Sequence, residues 1–237
     1  MAGSNSISLW QETAAERDFS AAFCGSGKVD VAIVGGGFTG LSTALHCAEK
    51  GLNAHVLEAR QIGYGGSGRN VGLVNAASWL PPGKVLQTLG DGYGPVFMDT
   101  FSDAPEYVFS LIERHQIQCE ATRAGTLHAA HAPGGLRELQ DRHAQWQRLG
   151  APVDLLDRDA AAAKIGTDMF HGALLDRRAG TINPMGYCRG LARAAHAATV
   201  YTPQMIVGGV DHVIGSRPMQ VMDLIQAHSQ QEYPVSV

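Results

Sequence analysis

The sequence predicts an α/β fold built around a parallel sheet. Three observations carry that prediction: the apolar run "VDVAIV" at residues 29–34, a glycine turn directly after it, and an amphipathic stretch leading to a second apolar run that ends in an acid, Glu58. A short, continuous apolar run is the mark of a strand buried in a parallel sheet. Leu41, Ala44, Leu45 and Ala48 follow at i, i+3, i+4 and i+7, one face of a helix. Gly51 ends that helix, and "NAHVLEA" reads as the second strand. Strand, turn, helix and strand in this order make a unit with a right-handed crossover, the opening of a Rossmann-type domain.

Within the turn, Gly35, Gly37 and Gly40 fit G-x-G-x-x-G. The first glycine permits the tight turn, the second lets a pyrophosphate approach the backbone, and the third lets helix and strand pack closely. Phosphates would then meet free amides around Phe38 and Thr39, at the favourable end of the helix dipole. Glu58 lies 18 positions beyond Gly40, where a carboxylate can accept both hydrogen bonds of an adenosine ribose and repel the extra phosphate of NADP. These features imply a dinucleotide and leave NAD and FAD open. The next loop, "EARQIGYGGSGRN", favours FAD: Ser67, Arg69 and Asn70 follow the acid closely, and Ser67 and Arg69 can donate to phosphate oxygens of an extended cofactor.

Further along, "PPG" at Pro81 marks a turn. Helices are expected over Glu106 to His115, with Val108, Leu111 and Ile112 inward, and over Leu136 to Leu149, ended by Gly150. "GTLHAAHA" between them and "HGALLD" after them read as strands. Asn183 is placed to cap the helix of "NPMGYCRGLARAA", with Pro184 in its first turn. In the tail, "MIVGGV" suggests a substitute strand, and residues Met219 to His228 suggest a helix with Pro218 in its first turn.

Composition sets further bounds. The chain has 237 residues and a net charge of −4, so nucleic acid is not the expected partner. Cys24, Cys47, Cys119 and Cys188 form no CxxC pair, which points away from zinc and disulfides and toward a reduced, cytoplasmic protein. No basic start precedes an apolar run at the N-terminus, so no secretory leader is expected, and no apolar stretch is long enough to span a membrane. His128 and His131 are three apart in the expected strand, on opposite faces, and cannot share a metal ion. Trp79 could wall a substrate pocket or belong to the core. Arg177 and Arg178 in "DRRAG" could bind a carboxylate or lie on a solvated turn. No residue carries a catalytic assignment.

"VAIVGGGFTGLSTALHCAEKG", "VLEARQIGYGGSGRN" and "GTINPMGYCRGLARAA" together resemble FAD-dependent amine and amino-acid oxidoreductases of the D-amino-acid oxidase superfamily, in particular the gamma-glutamylputrescine oxidoreductase type. The resemblance covers about Ser8 to Ala198. It implies a Rossmann-type FAD-binding domain with an incomplete mixed-sheet substrate domain. Residues 1–28 would be a polar leader, 29–100 the N-terminal part of the FAD domain, 101–183 part of the substrate domain, and 184–237 a return toward the FAD domain plus an unrecognised tail. The implied activity is oxidation of the C–N bond of a small-molecule amine or amino acid. Gly35, Gly37 and Gly40 would hold the pyrophosphate and Glu58 the ribose, with Ala59 and Arg60 beside the adenosine. Gly66, Ser67 and Asn70 would line the pyrophosphate and ribityl region, and Gly72, Leu73 and Val74 would set backbone against the isoalloxazine. No histidine lies between Glu58 and Val74, so the FAD is expected to be non-covalent. A non-catalytic dinucleotide-binding remnant and an NAD-dependent dehydrogenase are the alternatives.

Overall fold

The structure, a computed structural model, describes residues 7–22, 27–78, 80–195, 199–201, 204–207, 211–214, 223 and 226–227. Two compact units make up the chain: Met1–Arg69 with Pro184–Val237, and Asn70–Asn183. Trp79 and Cys24 lie outside the described residues, as does most of the helix expected over Met219 to His228.

The first unit holds a four-stranded parallel sheet in the order β1 (Ala21–Ala22), β9 (Thr199–Tyr201), β3 (Ala54–Glu58), β2 (Val31–Val34). Helix α2 (Phe38–Glu49) joins β2 to β3 as expected and buries Leu41, Ala44 and Leu45. Its chain turns at Gly51, φ 74°. Helix α6 (Pro184–Ala194) packs on α2, with Tyr187 edge-on to Phe38 at 5.5 Å between ring centres. The polar N-terminal residues contain structure of their own. Helix α1 (Leu9–Thr13) is capped by Ser8, whose Oγ accepts from Gln11 N at 3.2 Å, and β1 adds a strand to the sheet. Glu16, 6% exposed, accepts from Arg193 Nε and Nη2 at 3.0 and 2.8 Å, and its carbonyl accepts from Arg189 at 3.1 Å. This charge-assisted pair ties the segment around Glu16 to α6 and raises the Arg193 pKa through the hydrogen bond to Glu16.

Two expectations for this unit need correction. The run "VAIV" was expected to be buried throughout, yet only Ile33 is: Ala32 is exposed and Val34 is 88% exposed. The reason is its position. Among the described residues β2 pairs with β3 alone. The tail strand near "MIVGGV" does form, as β10 (Gln204–Val207), but it pairs antiparallel with β11 (Asp211–Ile214) and does not extend the parallel sheet. The addition to that sheet comes from β9, just beyond the point where the resemblance ends.

The second unit is a three-stranded antiparallel sheet, β5 (Thr126–Ala129), β7 (Ala173–Asp176), β6 (Val153–Leu156), with β7 central. A two-stranded ribbon joins β4 (Leu73–Val74) to β8 (Gly180–Thr181). Helix α3 (Pro82–Arg114) and helix α4 (Pro133–Arg148) cover one face, where Val85, Met98, Leu139, Trp146, Val153 and Leu174 form the core. Helix α5 (Arg158–Ile165) starts on Asp157, whose Oδ1 accepts from Ala160 N, and stops at Gly166 in the left-handed region. The expected helix over Glu106 to His115 is the last part of α3, with Leu111 and Ile112 buried and Val108 half-buried. The long first part was hidden by Pro95, Pro105 and three nearby glycines, and α3 does kink at Gly90, φ 68°.

Candidate functional site

The glycine turn sits where β2 hands the chain to α2. Gly35 adopts φ 104°, a conformation that side chains disfavour, and its amide donates to Leu57 O at 2.8 Å. A Cβ on Gly40 would lie 2.0 Å from Gly35 O and 3.2 Å from Ile33 Cγ2, so only glycine lets α2 settle on the sheet. Gly37 precedes the first turn of α2 without a side-chain cap of its own. Ser67 from the following loop reaches over instead, its Oγ accepting from Phe38 N at 3.0 Å. A Cβ on Gly37 would meet that oxygen at 2.8 Å. Gly35, Gly37, Phe38, Gly40 and Ser67 are thus assembled into one turn, with Thr39 exposed on the first turn of α2.

Glu58 closes the other side. Its Oε2 accepts from Gly36 N at 2.7 Å and its Oε1 from Arg60 N at 2.9 Å. Each carboxylate oxygen has a further lone pair to offer. Ala59 and Arg60 follow, exposed. Arg60 donates to the Tyr64 hydroxyl, and the guanidiniums of Arg60 and Arg69 lie 4.3 and 4.5 Å from the Tyr64 ring centre. The aromatic face thereby holds two cations beside the turn.

The glycines of the loop divide into two kinds. Gly63 and Gly68 are packing residues: added Cβ atoms would press on Cys188 and Met185 at about 3.1 Å in the first case, and on Gly63 O at 2.3 Å in the second. Cys188 belongs to that packing, and burial pushes its thiol up to about 12, so it stays protonated. Gly65 and Gly66 differ, since added Cβ atoms would meet nothing within 4 Å. Among the described residues, packing gives no reason for glycine there. The two glycines precede Ser67, whose hydroxyl lies at the N-terminus of α2, an end of a helix that favours anions.

In the second unit, Asn70 Oδ1 accepts from Gly72 N at 2.8 Å, and Gly72 turns at φ 78°. Gly72 O accepts from Ile182 N at 2.8 Å, which sets Leu73 and Val74 into β4. The arginines of "DRRAG" are occupied. Arg178 pairs with Asp176 at 2.6 Å and stacks on Trp146 at 4.6 Å, and Arg177 pairs with Asp154 at 2.5 Å. His128 lies on β5 and His131 beyond its end. No group of three metal-binding side chains occurs among the described residues, nor any helix long and apolar enough to cross a membrane.

The profile of the family described as FAD dependent oxidoreductase, DAO, matches residues 30–218. The chain belongs to that family. It is 39% identical over 174 residues to gamma-glutamylputrescine oxidoreductase of Escherichia coli (strain K12), a match spanning 70% of this chain and 39% of that protein. It is 32% identical over 193 residues to the probable oxidoreductase OrdL of Rhizobium meliloti (strain 1021), spanning 81% of this chain and 45% of the other. Among solved structures, glycine oxidase from Geobacillus kaustophilus superposes with a TM-score of 0.59 at 23% identity, over 74% of this chain and 46% of that one. L-Amino acid deaminase from Proteus myxofaciens, in complex with anthranilate, superposes with a TM-score of 0.59 at 18% identity, over 83% and 44%. At such identities the superpositions show the shared fold. The chain spans less than half the length of each of these relatives.

The family match runs past Ala198, where the sequence resemblance stops, and takes in β9. Sequence reasoning also passed over Gly36, whose amide holds Glu58, and Tyr64, which gathers the two arginines. The signal for Tyr64 was its place between the cations at Arg60 and Arg69. Gly36 had none beyond the triple glycine, because its role lies in the backbone.

Proposed function

We propose that this chain supplies the ADP-binding part of a non-covalent FAD site in an oxidoreductase acting on the C–N bond of a small amine or amino acid. The observation that carries the reading is the Gly35–Gly40 turn at the start of α2, bounded by the Ser67 hydroxyl on Phe38 N and by the amide-held carboxylate of Glu58. The turn amides and the α2 dipole would hold the pyrophosphate. Glu58 would accept from the ribose hydroxyls with the lone pairs that Gly36 and Arg60 leave over. Arg60, fixed by Tyr64, would lie beside the adenosine with Ala59, and the Arg69 guanidinium and the Ser67 hydroxyl proton would face phosphate. The roles of Asn70, Gly72, Leu73 and Val74 toward the ring end follow from the resemblance. FAD held there would supply the two-electron acceptor that C–N oxidation requires. The chain's own part would be to bind and orient the ADP half and to offset the charge of its pyrophosphate.

The amine substrate class follows the name of the Escherichia coli relative, and a cytoplasmic site of action follows the scattered cysteines, with Cys47, Cys119 and Cys188 in no disulfide. Purified protein mixed with FAD should show flavin absorbance bands that persist through desalting. Absence of those bands, with NAD binding in their place, refutes the reading. Amine-dependent bleaching of that flavin is the further result expected of C–N oxidation, and bleaching by NAD(P)H or hydroxy acids alone would contradict it.

A further inference from the structure

Arg60 and Arg69 are exposed cations of the loop that follows Glu58, and one ring gathers both. Tyr64 stands next to Gly63, and Gly63 is anchored. Its amide donates to Gly36 O at 2.9 Å, and its carbonyl accepts from Gly68 N at 3.0 Å. The tyrosine is half-buried while both arginines are exposed. The ring is therefore the fixed part of the group, and the guanidiniums are the parts it holds. It holds them in two ways. Arg60 Nη1 donates to the Tyr64 hydroxyl and its Cζ lies 4.3 Å from the ring centre, whereas Arg69 meets the ring alone, at 4.5 Å. A long side chain loses rotamer freedom when it meets a ligand, and a ring that already restricts it lowers that loss.

Two like charges gathered in this way need a reason. Arg123, Arg158, Arg177, Arg178 and Arg193 each pair with a carboxylate. Among the described residues no carboxylate pairs with Arg60 or Arg69, and their charges stand no further apart than the two ring distances together. The tyrosine ring attracts each cation but cancels neither charge. Such a pair suits two neighbouring phosphates on one ligand. It also flanks the place where anions are favoured. Ser67, two residues before Arg69, accepts from Phe38 N at the start of α2, and Arg60 N donates to Glu58.

We infer that Tyr64 is a positioning residue for the cofactor: it holds Arg60 and Arg69 as one two-cation clamp for the diphosphate of the dinucleotide, with Arg60 on the adenosine side. The inference rests on the FAD site proposed above and adds a residue that need not touch the ligand. Tyr64 acts through the arginines. Its removal should therefore weaken binding only while they are present, and the loss should fall on ligands with two phosphates.

The test is to titrate FAD and ADP against the full chain by calorimetry at low and high salt, with AMP as the single-phosphate control. In the parent, ADP should bind more tightly than AMP, and FAD and ADP should both weaken as salt rises. Tyr64→Leu should weaken FAD by about tenfold, since each exposed cation–π contact is worth a few-fold. It should lower the preference for ADP over AMP and leave the unfolding midpoint of the ligand-free chain unchanged. Tyr64→Phe keeps the ring that holds Arg69 and should recover part of the loss. In a chain already carrying Arg60→Gln and Arg69→Gln, Tyr64→Leu should cost nothing further, a coupling that a merely structural tyrosine would not show. Arg158→Gln, at an exposed cation of the other unit, should change neither affinity nor preference. Should Tyr64→Leu lower the midpoint, the coupling is read between Tyr64→Phe and Arg60→Gln, whose side chains share the hydroxyl bond. If the parent binds FAD and ADP but Tyr64→Leu binds them as tightly, or loses the same factor without the arginines, the clamp is overturned and the FAD site stands. A parent that binds neither ligand overturns both.

Discussion

Strands β2 and β7 carry nearly the same message in sequence and meet opposite fates. "VAIV" and "ALLD" are both short, mainly apolar runs that read as strands, the first as a buried one. β7 is paired on both edges, and Ala173, Leu174 and Leu175 are 0%, 5% and 5% exposed. β2 is paired on one edge among the described residues, and its last valine is 88% exposed. An apolar run therefore states that a strand is made for burial. Whether the chain at hand supplies that burial depends on partners far away in sequence. The antiparallel sheet finds its partners within residues 126–176, whereas the parallel one needs crossovers and reaches as far as Thr199 for β9.

The largest expected effect comes from exchanging these two positions. Leu174→Ala removes atoms from the core formed with Val85, Met98 and Trp146, and should cost about 2–5 kcal/mol. Val34→Ala in the isolated chain should cost no more than ~0.5 kcal/mol, since the side chain has little burial to lose. Chemical denaturation of both variants checks the contrast. Equal losses would mean that Val34 is covered in solution, and the difference between the two strands would vanish.

A smaller effect separates glycines that serve packing from glycines that serve a ligand. Gly40→Ala forces a Cβ to 2.0 Å from a backbone oxygen and should destabilise by about 1–3 kcal/mol, lowering the unfolding midpoint with or without FAD. Gly65→Ala meets open space at φ −79° and should leave the fold unchanged or more stable by ~0.4–1 kcal/mol. Its cost should appear only as weaker FAD binding in a titration. If Gly65→Ala binds FAD as the parent does, the cofactor does not lie against that loop.

Much of this was legible in the sequence, and the parts that were not share a cause. Period and punctuation marked β2, α2 and β3, because Leu41, Ala44, Leu45 and Gly51 act within a few residues of each other. The glycine turn was readable because a chemical motif fixes its spacing. The start of α3 was not, since Pro95, Pro105 and Gly90 break the local pattern while packing keeps the helix going. The pairing of Glu16 with Arg193 was not, as the partners lie 177 residues apart. The exposure of Val34 could not be read from residues 29–34 at all, because it is set by what lies beside them.

The smallest effect concerns His128, on the strand that flanks β7. Its register partner is Leu174, and partial burial holds its pKa below the ordinary imidazole value, with Arg142 pushing the same way and Glu138 opposing. The unfolded chain, with a histidine near 6.5, then binds more protons than the folded one in the window just below that pH. Stability contributed by the neutral ring is present above about 6.5 and is lost as pH falls toward the folded value. The loss should be slight, because the side chain still reaches solvent. Unfolding midpoints at pH 7.5 and 5.5 should therefore fall further apart in the parent chain than in His128→Gln, where this proton uptake is removed. An equal drop in both would show that the sheet around β7 does not feel His128, and that its closed packing isolates it from protonation at its edge.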